Sequence, residues 1–189
     1  MNIIVRPSDH DLCYCRPDTT WERENRDYYC PDSLETLEWT PVIFARISKA
    51  GKCIGNKFIG RYYDAINFGV LIYTGTEEIA FTSCTDHTSI LPFPMYNPVV
   101  MENGENLYEV CKNNEVIFST SNFQKSIIEI RQKLEESICL ASQLTSLRIG
   151  DFVVVELAPR AQLAERGNGE VSFSLRFCGN EIFSNRIIF

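Results

Sequence analysis

Residues 39–47, WTPVIFARI, and 67–74, NFGVLIYT, most limit what this chain can become. Both are nearly unbroken apolar runs, rich in β-branched and aromatic residues and bounded by turn formers, which is the pattern of strands buried on most of their surface. Pro41 sits near the start of the first, where a strand tolerates it, and SKAGK follows its end. A strand of this kind needs cover from other elements, and the rest of the chain must supply it. Between the two runs, NKFIGRYYDAI has the composition of a short helix in spite of Gly60.

The stretch from Gly75 to Pro98 mixes turn formers with short apolar pieces and is expected to be irregular and at the surface. Beyond it, LYEVCKNNEVIFST predicts a hairpin turning at Asn113 and Asn114. Phe123, Ile127, Ile130, Leu134, Ile138 and Ala141 recur at helical spacing, with Ser121 or Asn122 to cap the first turn. Glu129, Arg131, Lys133, Glu135 and Glu136 form the solvated face of that helix. RIGDFVVVELAP reads as a turn feeding a buried strand, and VSFSLRFCGNEIFSNRIIF as a final hairpin turning near Gly179 and Asn180. Many strands with two or three helices predict an α+β chain dominated by β structure. With no repeat, low-complexity tract or linker, residues 1–189 read as a single domain.

The 18 Lys and Arg residues stand against 25 Asp and Glu, for a net charge of −7, with no basic stripe to follow a phosphate backbone. Nucleic acid is therefore not an expected partner. Neither a membrane span nor a signal peptide is recognisable, so the expectation is a soluble, cytoplasmic protein. The 8 cysteines are scattered and read as reduced thiols. His10, Cys13, Cys15 and Cys30 include zinc-ligand types but lack the paired C-x-x-C spacing, and buried thiols are the simpler reading.

CYCRPDTTWERENRDYYCPDS, ARISKAGKCIGNKFIGRYYDAINFGV and LRIGDFVVVE occur in an order that resembles the fumarylacetoacetate hydrolase-like family. The first is similar to the family's Lys/Arg-Pro-Asp segment followed by an aromatic-Pro-Asp segment, the second to its Gly-Lys, helix and Tyr-Asp stretch, and the third to its Leu-x-x-Gly-Asp strand. Residues 12–72 and 106–189 are covered, 76–105 diverge, and the N-terminal segment with the family's general-base histidine is shortened. The resemblance implies a mixed β-roll or barrel, pairing into a homodimer or with a related subunit, and a small acidic ligand. Active members hold Mg²⁺ or Mn²⁺ with a Glu-x-Glu pair and an Asp, hard oxygen ligands suited to such ions.

The resemblance puts the Glu-x-Glu positions at Thr40 and Val42 and the Asp position at Leu71, or, with a two-residue slide, Glu38 and Thr40 for the pair. The Thr-Gly-Thr-Pro loop expected to face a developing oxyanion is replaced by Val155, Glu156, Leu157, Ala158 and Pro159. The implied protein is a catalytically degenerate member without cofactor, acting as a binding or partner subunit. The alternative is an active Mg- or Mn-dependent hydrolase, decarboxylase or isomerase of acidic oxo-compounds of the acylpyruvate or 2-hydroxymuconate type. Under that alternative, His87 with Asp86, and Glu77 with Glu78, are the candidates for a relocated site. His10 is a further candidate, with an exposed surface histidine the simpler role.

Overall fold

A computed structural model describes residues 1–75, 79–102, 106–122 and 127–189. Its strands are β1 (Asn2–Arg6), β2 (Tyr14–Pro17), β3 (Trp21–Glu22), β4 (Tyr28–Tyr29), β5 (Thr36–Ile47), β6 (Tyr63–Thr74), β7 (Ser89–Ile90), β8 (Tyr108–Lys112), β9 (Glu115–Ser119), β10 (Phe152–Glu156), β11 (Ala161–Glu165), β12 (Val171–Phe177) and β13 (Asn180–Ile188). The helices are α1 (Ile79–Thr82), α2 (Pro98–Glu102) and α3 (Ile127–Leu144).

The two apolar runs lie at the centre, as the long antiparallel pair β5–β6, in register from Leu37 opposite Thr74 to Ile47 opposite Tyr63. Because side chains alternate across a strand, Leu37, Trp39, Ile43, Phe68, Val70 and Ile72 enter one core and Val42, Phe44, Leu71 and Tyr73 another. Both faces are covered. The eight-stranded sheet runs β2-β1-β10-β5-β6-β7-β3, with β11 also on β5. Its two end strands are consecutive in the chain, joined through the 3₁₀ turn Asp18–Thr20, so the sheet curls into a nearly closed barrel. The interior holds Ile3, Val5, Val42, Phe44, Leu71, Phe152 and Val154.

A five-stranded sheet, β4-β13-β12-β8-β9, and the inner stripe of α3 supply the other core, through Phe173, Leu175, Phe183, Ile130, Leu134 and Ile138. Gly69 makes one approach possible, since a Cβ there would lie 2.4 Å from the carbonyl oxygen of Ile90 on β7. Asn113 and Asn114 turn the β8–β9 hairpin with φ of 50° and 67°, left-handed values that asparagine tolerates.

Several expectations need correction. Residues 56–61 form a 3₁₀ helix, and Tyr63 to Ile66 already belong to β6. Of the six, only Ile59 is buried, so the segment lacks the repeated apolar stripe that holds an α-helix down. The region after Gly75 is not simply surface: Thr82, Thr88, Ser89, Ile90 and Leu91 are buried. Asn67 anchors it, donating from Nδ2 to the carbonyls of Pro92 and Pro94 at 3.1 and 2.8 Å. Strand β11 was not anticipated. The final turn uses Cys178 and Gly179 rather than Gly179 and Asn180. Helix α3 is described from Ile127, Ser121 and Asn122 lie in a 3₁₀ turn, and Phe123 and the expected first turn fall outside the described residues.

Candidate functional site

Thr40, Val42 and Leu71 lie on the barrel-facing side of β5 and β6, with Thr40 opposite Leu71 and Val42 opposite Gly69. All three are fully buried. The Thr40 hydroxyl donates to the Ala158 carbonyl at 2.6 Å, and the other two side chains are alkyl groups. One committed hydroxyl and two alkyl groups do not fit a divalent cation, which takes several oxygen ligands. Glu156, opposite Val42, is the nearest carboxylate in the register. Its Oε1 accepts from the Tyr73 hydroxyl at 2.5 Å and its Oε2 from the Ser8 amide at 3.1 Å. Tyr73 meets the Tyr14 hydroxyl at 2.5 Å, and the guanidinium of Arg160 lies 3.7 Å from its ring centre. Burial pushes the phenols of Tyr14 and Tyr73 above the ordinary tyrosine value. The remaining loop positions carry Val155 inside β10 and Leu157, whose amide donates to Pro41, ahead of the exposed Pro159.

Arg16, on β2 beside this relay, is 1% exposed. Its Nη2 donates to the Ile72 carbonyl at 2.9 Å and to Thr88 Oγ1 at 2.5 Å. Among the described residues, its Nε and Nη1 have no hydrogen-bond partner. A buried guanidinium with two of its three nitrogens unmet is costly unless an anion or water completes it.

Strands β3 and β7 pair in parallel, Trp21 with Ser89 and Glu22 with Ile90, and this brings Glu22 and His87 together. The indole of Trp21 secures the pair by donating to the Leu91 carbonyl at 3.0 Å. Glu22 Oε1 accepts from the amides of Arg23 and Glu24 at 2.8 and 2.6 Å, and Oε2 lies 2.8 Å from His87 Nδ1. His87 has a φ of 60°, and its amide donates to the Thr19 carbonyl. Both residues border a cavity of about 570 Å³ that also meets Tyr28, Tyr29, Phe81 and Asp86. Tyr28 is 7% exposed, and its buried hydroxyl has no partner among the described residues. Burial pushes that phenol well above its ordinary range; Cys30 and Asp86 push the same way, and Arg16 opposes them.

Of the candidates read from the sequence, His87 lies on the cavity, paired with Glu22 rather than Asp86. Asp86 shares the cavity without a bond to the ring. His10 is exposed and remote from it, its Nδ1 accepting from the Leu12 amide at 3.2 Å. Glu77 and Glu78 fall outside the described residues. Cys13, Cys15 and Cys30 are free thiols, and among the described residues no group of three His, Cys, Asp or Glu is placed to hold a metal. Sequence reasoning missed Arg16, Glu22 and Tyr28, although all three fall within a stretch singled out for its resemblance.

No family model and no curated protein sequence matches the chain. Solved structures do. Fumarylpyruvate hydrolase from Pseudomonas aeruginosa in complex with Mn²⁺ and pyruvate superposes with a TM-score of 0.79 at 13% identity, covering 100% of this chain and 90% of that one. A fumarylacetoacetate hydrolase family protein from Yersinia pestis CO92 gives 0.74 at 13% identity, with 99% and 92% covered. 5-Carboxymethyl-2-hydroxymuconate delta-isomerase from Mycobacterium smegmatis gives 0.74 at 11% identity, with 99% and 78% covered. At such identities the likeness is one of architecture, and it makes this chain a bearer of the fumarylacetoacetate hydrolase fold.

Proposed function

We propose that this chain binds a small acidic ligand without a divalent cation, in the cavity bounded by Glu22, Tyr28 and His87. The observation that carries the reading is the cavity of about 570 Å³, whose largely apolar lining is interrupted by the exposed His87 ring held 2.8 Å from Glu22. The Pseudomonas structure is described with Mn²⁺ and pyruvate. In this chain Thr40, Val42 and Leu71 offer such a cation no carboxylate, which favours a degenerate relative over the metal-dependent hydrolase, decarboxylase or isomerase. Ligand pockets are commonly apolar cavities with a few convergent polar groups, and this one has that make-up.

Calorimetry in the presence of EDTA tests the reading, with pyruvate, fumarate, maleate and benzoate as probes. At least one should give saturable heat that is lost in Cys84→Trp, which fills the cavity from its exposed rim. Binding that appears only when Mn²⁺ or Mg²⁺ is restored would favour the metal-dependent alternative.

A further inference from the structure

The polarity of the His87–Glu22 pair is fixed by what surrounds it. Glu22 Oε1 is committed to two backbone amides and Oε2 faces His87 Nδ1. A carboxylate only accepts, so Nδ1 carries the hydrogen and Nε2 of the neutral ring is an acceptor. Glu22 is buried and the His87 side chain is 54% exposed, so Nε2 is the nitrogen left to a guest in the cavity that both residues border. Asp86 supplies a second acceptor: it is exposed on the same cavity and, among the described residues, pairs with no cation. A guest that meets both needs several hydrogens on one atom and, beside a carboxylate, a positive charge. An ammonium group has both, whereas a hydroxyl has one hydrogen and no charge.

A cation borders the cavity as well. The guanidinium of Arg26 is 68% exposed and paired with the exposed Glu24. Exposed pairs of that kind are weak, which leaves Arg26 open to a guest's carboxylate. Asp27, the other carboxylate on the cavity, is already held by Arg186 at 2.5 Å. Tyr29 and Phe81 present exposed rings there, surfaces that cover an apolar body and attract a nearby cation.

We propose that the acidic ligand of this cavity is a zwitterion, an amino acid with an aromatic or other large apolar side chain. Its ammonium is held by His87 Nε2 and Asp86, its carboxylate by Arg26, and its side chain by Tyr29 and Phe81. This rests on the cavity being the site of an acidic ligand and adds a basic group to the acidic one. Glu22 is the positioning residue: by accepting from Nδ1 it decides which ring nitrogen keeps the lone pair.

L-Phenylalanine, 3-phenylpropanoate and 2-phenylethylamine separate the contacts, because each of the last two lacks one charged group. Calorimetry on the full chain in EDTA should find phenylalanine at least about tenfold tighter than 3-phenylpropanoate and about fivefold tighter than 2-phenylethylamine. Asp86→Asn, at an exposed position, should cost phenylalanine about fivefold and leave 3-phenylpropanoate unchanged. Glu22→Gln is the sharper variant. Its amide oxygen can keep the two backbone amides while its NH₂ faces His87 Nδ1, which makes that nitrogen the acceptor and Nε2 the donor. A donor repels an ammonium and suits a carboxylate, so the preference for phenylalanine over 3-phenylpropanoate should vanish or reverse, whereas loss of a purely structural Glu22 would weaken both alike. No saturable heat from phenylalanine, or equal or tighter binding of 3-phenylpropanoate by the unaltered protein, overturns the inference. A preference that survives both Asp86→Asn and folded Glu22→Gln also overturns it, and equal binding of 2-phenylethylamine overturns the carboxylate contact. The broader reading fails separately, when neither phenylalanine nor any of the carboxylates is held.

Discussion

Tyr73 on β6 donates its hydroxyl to Glu156 on β10 at 2.5 Å, spanning the barrel interior above Val42. This bond and the Ser8 amide leave Glu156 satisfied although it is 2% exposed. Replacing the carboxylate by an alkyl group orphans two donors at once. Glu156→Leu is expected to cost about 2–4 kcal/mol, and Tyr73→Phe about 1–3 kcal/mol, in chemical denaturation. A loss below the lower bounds would mean that water replaces the relay.

Arg16 has the opposite character. Its charge is buried and two of its three nitrogens are unmet among the described residues, so the protein carries a desolvation cost that its two hydrogen bonds offset only in part. Arg16→Met should leave stability unchanged or raise it by about 1 kcal/mol. Chemical denaturation of the variant beside the unaltered chain checks it. A strongly destabilised Arg16→Met would point to a purely structural arginine.

Divalent cations should leave the protein unmoved. At millimolar Mn²⁺ or Mg²⁺ the thermal midpoint is expected to stay constant, since anything that binds the native state alone must raise it. Leu71→Asp, which puts a carboxylate at a fully buried position among alkyl groups, should cost more than about 4 kcal/mol. Stoichiometric Mn²⁺ binding by the unaltered chain would overturn the assignment of Thr40, Val42 and Leu71.

Alkaline pH should unfold the protein through its tyrosines. Burial, with the Glu135 carboxylate that accepts its hydroxyl, pushes Tyr63 up to about 12 from an ordinary 10.0. The folded value is the higher one, so the neutral phenol favours the native state. That contribution is complete below pH 10 and is lost as pH rises to about 12. Tyr63→Phe should remove on the order of 2 kcal/mol of pH dependence within that window. Denaturation curves below, inside and above the window measure it, and parallel slopes for the two proteins would refute the assignment.

The long elements were legible because their periods are long enough to read. β5 and β6 are long apolar runs, and the inner stripe of α3 repeats over several turns. Strand β11, AQLAE, was not, since Ala, Gln, Leu and Glu favour helices and only pairing with β5 makes the segment extended. The cavity was still less visible. Glu22 and His87 meet through β3 and β7, strands of two residues each, too short to show any alternation. His87 stands out in the sequence beside its chain neighbour Asp86, but its partner lies on β3, far back in the chain, and no local pattern encodes that pairing. Arg16 falls within a motif, yet its lack of a carboxylate partner among the described residues is a three-dimensional property.

The 3₁₀ turn that joins β2 to β3 closes the barrel, and Arg16 and Glu22 stand on either side of it. The clasp comprises the Thr20–Ser89 hydroxyl contact at 2.8 Å, the His87 amide on Thr19 and the Trp21 indole on Leu91. Breathing of that seam and admission of a guest then draw on the same few bonds. A bound guest acts as a rivet, and amide hydrogens along β3 and β7 should exchange more slowly in its presence while those of β12 and β13 keep their rates.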